Sequence, residues 1–471
     1  MIKKLGWMGE RFCLLCAAAF CGLITIQSLQ RAHGAGIPVA AAAGIGVLAV
    51  LWVTAKFWKL GEIGTAVAMF LFRFSVAMLV ILVIDAQPVQ DFNTMYMAAQ
   101  ELAQGGRNYL DNIYFYNWAY QTGFVYYESV LLRLFGSGQF SLQVMNAVWM
   151  GGIGALVSVI AHRLLPRREA VCAAVLYAVY PAPYFLAAVL TNQHLATFLL
   201  YLAVWFLMRK EKLSLTGGAL AGLCMALGNI MRPIAVVLIL AVLCWRSIRL
   251  LLRGGKEWKK EILKAGSIVV SYFLVFSLAS GMIVWSGINP QGLTNNQPMW
   301  KFVLGFNQES DGSWNRSDYE NYLMLPTEEA EEAMREVVRE RLSVGPAALA
   351  KLAVRKSAVM WGAPEYMFWG FGHLDGEKSV GPLTVRQCTR LLATGDKGVY
   401  IAIFTLSLLG VLTLLKNGTK AGNGALLLTF LLCGYYAVHL IVEVQSRYRY
   451  FLIPTVCLLA GYGMTVVRKK K

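Results

Sequence analysis

Long apolar runs separated by short basic segments dominate the chain. About twelve such runs stand out, at roughly 12–29, 36–55, 64–84, 141–161, 170–189, 194–208, 215–229, 233–248, 266–286, 398–415, 422–441 and 451–467. About 20 apolar residues in a helix cross a hydrocarbon core of ~30 Å, so the pattern predicts an all-α polytopic membrane protein of about twelve transmembrane helices. The basic flanks orient it. Lys3 and Lys4, Lys56 and Lys59, Arg163 with Arg167 and Arg168, Arg209 with Lys210 and Lys212, the 246–264 stretch, Lys416 with Lys420, and residues 468–471 all fall on one side. The positive-inside rule makes that side cytoplasmic and puts both termini there. The first run, led by Lys3 and Lys4, has the look of a signal sequence. It lacks a small-x-small cleavage motif before further spans, which predicts a retained signal-anchor helix.

The opposite face receives two long segments, about 85–140 and 287–397, which carry most of the Asp and Glu. Chemistry is expected there. Just past the third run, in "LVILVIDAQPVQDFNTMYMAAQEL" from Leu79, stand Asp85 and Asp91. After Asp91, residues Phe92, Met95, Tyr96, Ala99 and Leu102 recur at helical spacing, predicting an amphipathic helix along the outer interface that ends near Gly105 and Gly106. Two roles are open to Asp91: an N-cap accepting backbone N–H bonds, or a functional carboxylate held at the membrane rim. In the second segment, Glu328, Glu329, Glu331 and Glu332 precede Arg339 and Arg341, a charge order that suits a solvated helix and its dipole. Gly345-Pro346 then opens a further helix with apolar and basic faces.

Composition narrows the class. The 471 residues are 57% hydrophobic and 15% charged, with a net charge of +17. Because the basic residues sit in segments between spans, topology accounts for the charge and nucleic-acid binding is set aside. Eight of the nine cysteines lie in apolar runs, leaving Cys388 in a polar segment, and no disulfide framework or metal-ligand spacing emerges. No motif demands a cofactor, and dependence on a divalent metal stays open.

Four pieces of sequence resemble one family. A span followed by Pro88, Asp91, Tyr96, Ala99 and Gly105 is similar to the first outer loop of GT-C glycosyltransferases, particularly family 39, which includes protein O-mannosyltransferases and the lipid A aminoarabinose transferase. "LTNQHLATFLLYL" with Asn192, Gln193 and His194, "GNIMRPIAVVLIL" with Arg232-Pro233, and "VEVQSRYRYFLIP" with Arg447 and Tyr448 resemble further family pieces in order and side. Family members often carry an acidic residue straight after the Asp, where this chain has Phe92. Counted from the third run, seven spans precede the large outer loop, as in the GT-C module. The expected division is two additional helices at 1–63, a GT-C-like module at 64–286 with its catalytic loop at 85–140, a loop domain at 287–397, and three helices at 398–471.

The resemblance implies transfer of a monosaccharide, with inversion, from a polyprenyl-phosphate donor to an acceptor on a glycan, lipid or protein. Asp91 would be the general base. Arg232, Arg447 with Tyr448, and Lys301 are candidates for the donor phosphate, and Tyr96, Asn192, His194 and Asp85 for donor or sugar contacts. A bacterial plasma membrane with an extracytoplasmic site is the expected setting. Arg73, inside the third run, calls for a buried partner or snorkelling, and Glu443 and Arg449 are expected to pair or to meet headgroups. Two other classes stay open: a twelve-helix secondary transporter, disfavoured by the asymmetric outer loop, and a non-catalytic scaffold of an envelope-assembly complex.

Overall fold

The computed structural model describes residues 1–32, 36–84, 86–136, 138–209, 213–325, 327–362, 367–372, 374–419 and 424–468. Among these, the regular structure is helical apart from a short antiparallel hairpin in which Ser379 pairs with Thr384 and Val380 with Leu383. Among the described residues, eight helices are long and apolar enough to cross a membrane by length and composition: Ile2–Gln30, Ile37–Phe57, Glu62–Val83, Gln139–Leu164, Ala235–Leu252, Trp258–Trp285, Val385–Asn417 and Gly424–Ile441. The remaining four apolar runs form shorter helices of 13 to 17 residues, Arg167–Val179, Gln193–Met208, Leu215–Met231 and Ile453–Arg468. Proline shortens two of them. Pro181 and Pro183 turn the expected 170–189 run into a 3-10 turn at Ala182–Leu186, and Pro233 ends the helix at Met231.

Close backbone contacts join the helices. Val385–Asn417 crosses Ile453–Arg468 at Gly410 and Gly463, where an added Cβ would stand 2.0 Å from the Leu459 carbonyl oxygen and 2.1 Å from that of Leu406. The first two helices pack on this same pair's neighbour face, so both ends of the chain share one part of the bundle. Glu62–Val83 lies along Gln139–Leu164, and its Arg73 does not snorkel. It is fully buried, donating from Nε to the Met150 carbonyl at 3.1 Å and from Nη1 to the Tyr177 carbonyl at 2.8 Å. The guanidinium lies 4.1 Å from the Tyr177 ring centre and 4.8 Å from that of Tyr184.

The two long polar segments meet at one end of the bundle. Asn289 donates from Nδ2 to the Phe115 carbonyl at 3.0 Å and to Thr122 Oγ1 at 2.9 Å, Tyr109 Oη donates to the Ile288 carbonyl at 2.6 Å, and the Tyr120 N–H donates to the Thr294 carbonyl at 2.9 Å. The amphipathic reading of the first segment holds. Helix Asp91–Ala103 buries Phe92, Met95, Ala98, Ala99 and Leu102, and Gly105 follows at φ +90°. In the second segment, Thr327–Leu342 is less solvated than its charges suggest. Ala330, Met334, Val337 and Val338 are buried in one cluster with Trp300, Val303 and Leu304, and Arg341 is bonded to Asp318 through both terminal nitrogens, at 2.9 and 2.7 Å.

Candidate active site

Breaks between helices aim side chains from distant parts of the chain into one cavity of about 550 Å³. The first break precedes Asp91. Gln90 holds φ +51°, ψ −132°, a backbone state that costs a non-glycine residue of order 1–3 kcal/mol and that tends to persist at functional sites. Asp91 is the first helical residue, not the cap. Its carboxylate is exposed on the cavity wall and makes no hydrogen bond among the described residues, so the N-cap reading does not hold.

The second break follows helix Leu215–Met231. Arg232 is extended, at φ −153°, ψ 126°, as a residue before proline must be. Asn229 Oδ1 accepts the Ala235 N–H at 3.1 Å, which satisfies a donor freed by the break. Arg232 donates from Nη1 to Asn192 Oδ1 at 3.0 Å, and Asn192 donates from Nδ2 to the Met231 carbonyl at 2.9 Å. Asn192 is 2% exposed and stands at the N-terminus of helix Gln193–Met208. Two candidates nearly 40 positions apart are thereby locked together.

The third break, after helix Gly424–Ile441, is extended at Gln445 with φ −143°, ψ 148°. Alternate residues then share a side. The Lys301 ammonium is paired with the Glu443 carboxylate; Gln445 donates from Nε2 to Glu443 Oε1 at 2.7 Å; Arg447 donates from Nε to Gln445 Oε1 at 2.7 Å. Tyr448 Oη donates to Glu443 Oε2 at 3.2 Å, and its ring centre lies 5.1 Å from the Arg232 guanidinium. Arg447 stacks 5.0 Å from the Phe92 ring centre and 4.2 Å from that of Trp369. Phe92, where an acidic residue was expected, is therefore a platform for a cation beside Asp91.

The charges are unequal. Arg232, Lys301 and Arg447 line the cavity against Asp91 and Glu443. Burial pushes the Glu443 carboxyl up, but Lys301, Gln445 and Arg447 more than offset this and hold it below the usual carboxylate range. Burial pulls Arg447 down from its ordinary value, Arg232 adds to that, and Asp91 and Glu443 oppose it. A site with one cation in excess, fixed hydrogen-bond donors and a carboxylate that makes no hydrogen bond among the described residues suits a phosphorylated ligand and a proton transfer.

Asp91, Asn192, Arg232, Lys301, Arg447 and Tyr448 are thus brought together. Two candidates are not. His194 is fully buried outside the lining, between Tyr450 Oη at 2.6 Å and the Leu186 carbonyl at 3.0 Å. Tyr96 lies one turn along from the lining, accepting from Gln100 Nε2 at 2.9 Å. Asp85 falls outside the described residues. Arg449 does not pair with Glu443: it donates from Nη1 to the Met360 and Trp361 carbonyls at 3.2 and 3.0 Å. The sequence reading missed Glu443 and Gln445 as site residues, although their alternation with Arg447 was visible as E-x-Q-x-R. Among the described residues, no group of three or more His, Cys, Asp or Glu is placed to hold a metal.

A helical membrane bundle with this cavity at one end is the setting of the motifs that resemble GT-C glycosyltransferases of family 39. Residues 123–285 match the family of dolichyl-phosphate-mannose-protein mannosyltransferases, a stretch of about one third of the chain. The crystal structure of the apo oligosaccharyltransferase of Archaeoglobus fulgidus is similar at 13% identity and a TM-score of 0.44, over 88% of this chain and 51% of that one. ArnT from Cupriavidus metallidurans, solved with undecaprenyl phosphate, is similar at 14% identity and a TM-score of 0.38, over 84% of this chain and 77% of that one. The chain spans about half the length of the archaeal oligosaccharyltransferase. A search of the curated proteins finds no match.

Proposed function

We propose that the protein is an integral membrane glycosyltransferase that moves a monosaccharide from a polyprenyl-phosphate carrier to an acceptor hydroxyl, with inversion. The observation that carries this reading is one cavity lined by a carboxylate, Asp91, that makes no hydrogen bond among the described residues, and by three cations, Arg232, Lys301 and Arg447. The match of residues 123–285 supports a lipid-phosphate sugar as donor. The acceptor oxygen attacks the anomeric carbon as Asp91 takes its proton. The bond from that carbon to the phosphate oxygen breaks, and its electron pair leaves with the lipid phosphate. A hydroxyl is a poor nucleophile near neutral pH, so a positioned base contributes ~10²–10⁴-fold. Arg232 and Arg447, held by Asn192 and Gln445, receive the charge that develops on the leaving phosphate. Tyr448 braces both cations.

The basic flanks support a reading with both termini in the cytoplasm and the cavity on the outer face, and the proposed setting is a plasma membrane. In this reading residues 64–286 form the GT-C-like module, 287–397 roof the cavity, 1–63 buttress it, and 398–471 add the wall that carries Glu443, Gln445, Arg447 and Tyr448. The test uses purified wild type and Asp91→Asn in nanodiscs with a panel of polyprenyl-phosphate sugars, following release of the lipid phosphate. Release that falls at least 100-fold in a folded variant supports the assignment. Equal release from both removes Asp91 as the base, and no release with any donor removes the transferase reading.

A further inference from the structure

The wall of the cavity changes character from one side to the other. Apolar helices supply Val237 and Val438 together with Phe276, Tyr435 and His439, whereas the two long polar segments concentrate rings: Trp118, Tyr120, Trp300, Trp314 and Tyr319. The last three form a splayed wall. Ring centres of Trp300 and Tyr319 are 6.5 Å apart at 72°, and those of Trp314 and Tyr319 are 6.5 Å apart at 41°. Trp314 keeps 53% of its surface exposed.

The backbone beside Tyr319 is held by a buried bracket. Asp318, next to Tyr319, is 3% exposed and receives two bonds from Arg341 and one from Asn307 Nδ2 at 2.7 Å, and Asn315 Oδ1 accepts the Asp318 N–H at 2.9 Å. An aromatic side chain that only anchors a loop at the membrane interface needs no such buried bracket. Side-chain amides stand beside the rings. Asn295 is exposed on the lining with its Nδ2 without a partner among the described residues, and Gln121 lies next to Asn192.

We propose that this aromatic wall is the acceptor subsite and that it takes a pyranose, making the acceptor a carbohydrate-bearing molecule. This rests on the transferase reading above for its role, though not for its binding. A pyranose presents a patch of C–H groups on one face and hydroxyls around its edge. Ring faces cover the first, and amides bond the second. One mode of extended-peptide recognition uses main-chain hydrogen bonds along a sheet edge. The cavity wall offers rings and amides instead, and the two-residue hairpin at Ser379–Thr384 is not part of it.

Saturation-transfer NMR on the full-length protein in nanodiscs tests this. The probes are methyl glycosides and disaccharides of gluco, galacto, manno and N-acetylated configuration, together with a serine-containing heptapeptide. The wild type should bind at least one saccharide in preference to the peptide. Trp314→Ala should weaken that binding at least fivefold, Trp314→Phe should largely retain it, and Trp258→Ala, at an exposed tryptophan outside the cavity, should leave it unchanged. Binding of none of the saccharides, preference for the peptide, or equal affinity in wild type and Trp314→Ala overturns the subsite. Failure of the transferase reading appears separately, as absent lipid-phosphate release from a protein that still binds saccharide.

Discussion

Lys301 and Glu443 are bonded twice: the Glu443 backbone N–H donates to the Lys301 carbonyl at 2.9 Å, and the two side chains form an ion pair in the cavity. The pair therefore ties the short helix Trp300–Gly305 to the end of Gly424–Ile441 as well as setting the local charge. Glu443 is 2% exposed but Lys301 is 38% exposed, so water screens part of the attraction. A double-mutant cycle with Lys301→Met and Glu443→Gln should give a coupling of about 1–2 kcal/mol by thermal or denaturant unfolding. Additive single-variant effects would mean that the backbone bond alone holds the two elements.

Arg232 is oriented by one side-chain acceptor, Asn192 Oδ1. If its guanidinium meets the donor phosphate, then Arg232→Ala should raise the KM for the lipid donor by about tenfold or more, the worth of one charge-assisted hydrogen bond. Asn192→Ala, which leaves the charge but frees its orientation, should give a smaller rise in the same direction. Steady-state kinetics with a fixed acceptor read both, and an unchanged donor KM in Arg232→Ala would move the phosphate to Arg447 and Lys301.

What the sequence made legible follows from the range of the interactions. Apolar runs are local, so the helices fall where hydropathy puts them, and Asp91 stood out because it opens a helix whose buried face is periodic. Pro181 is where the hydropathy reading failed: 170–189 reads as one apolar run, yet the helix stops at Val179. The charge network was not legible as a network. Lys301 and Glu443 are 142 residues apart, and Asn192 and Arg232 are 40 apart on different helices. His194 looked like a site residue because a histidine beside Asn192 is polar in an apolar context. Only packing reveals that about half a turn of helix carries it away from the cavity and against Tyr450.

The two hydrogen bonds of His194 assign its tautomer. The Leu186 carbonyl can only accept, so Nε2 carries the proton, and Nδ1 accepts from Tyr450 Oη. This is a structural clamp between helix Gln193–Met208 and the turn before the last helix. His194→Phe leaves the buried Leu186 carbonyl without that donor and should cost about 1–3 kcal/mol of stability. Donor KM should stay within about twofold in the fraction that remains folded. A variant with wild-type thermal stability and a 100-fold lower kcat would return His194 to the reaction.

Lys356 offers a pH test at the same pair of helices that Lys301 and Glu443 tie together. Its ammonium is 1% exposed and bridges two helix ends, 2.7 Å from the Gly305 carbonyl and 2.9 Å from the Leu440 carbonyl. Burial pushes it down to about 7, against the pull of Glu443. In the unfolded chain the group keeps its proton to about 10.5. Between these limits the unfolded state binds more protons, so stability rises with pH, by at most about 1.4 kcal/mol per pH unit from this one group. Below pH 7 both states are charged and the burial penalty is constant. Deprotonation costs neither helix its contact, because the neutral amine retains two N–H donors. Other titrations cancel when wild type is compared with Lys356→Met. The difference in Tm, wild type minus variant, should therefore grow in favour of wild type from pH 6 to pH 9. A difference that stays flat or shrinks over that range would mean that Lys356 keeps its charge in the fold.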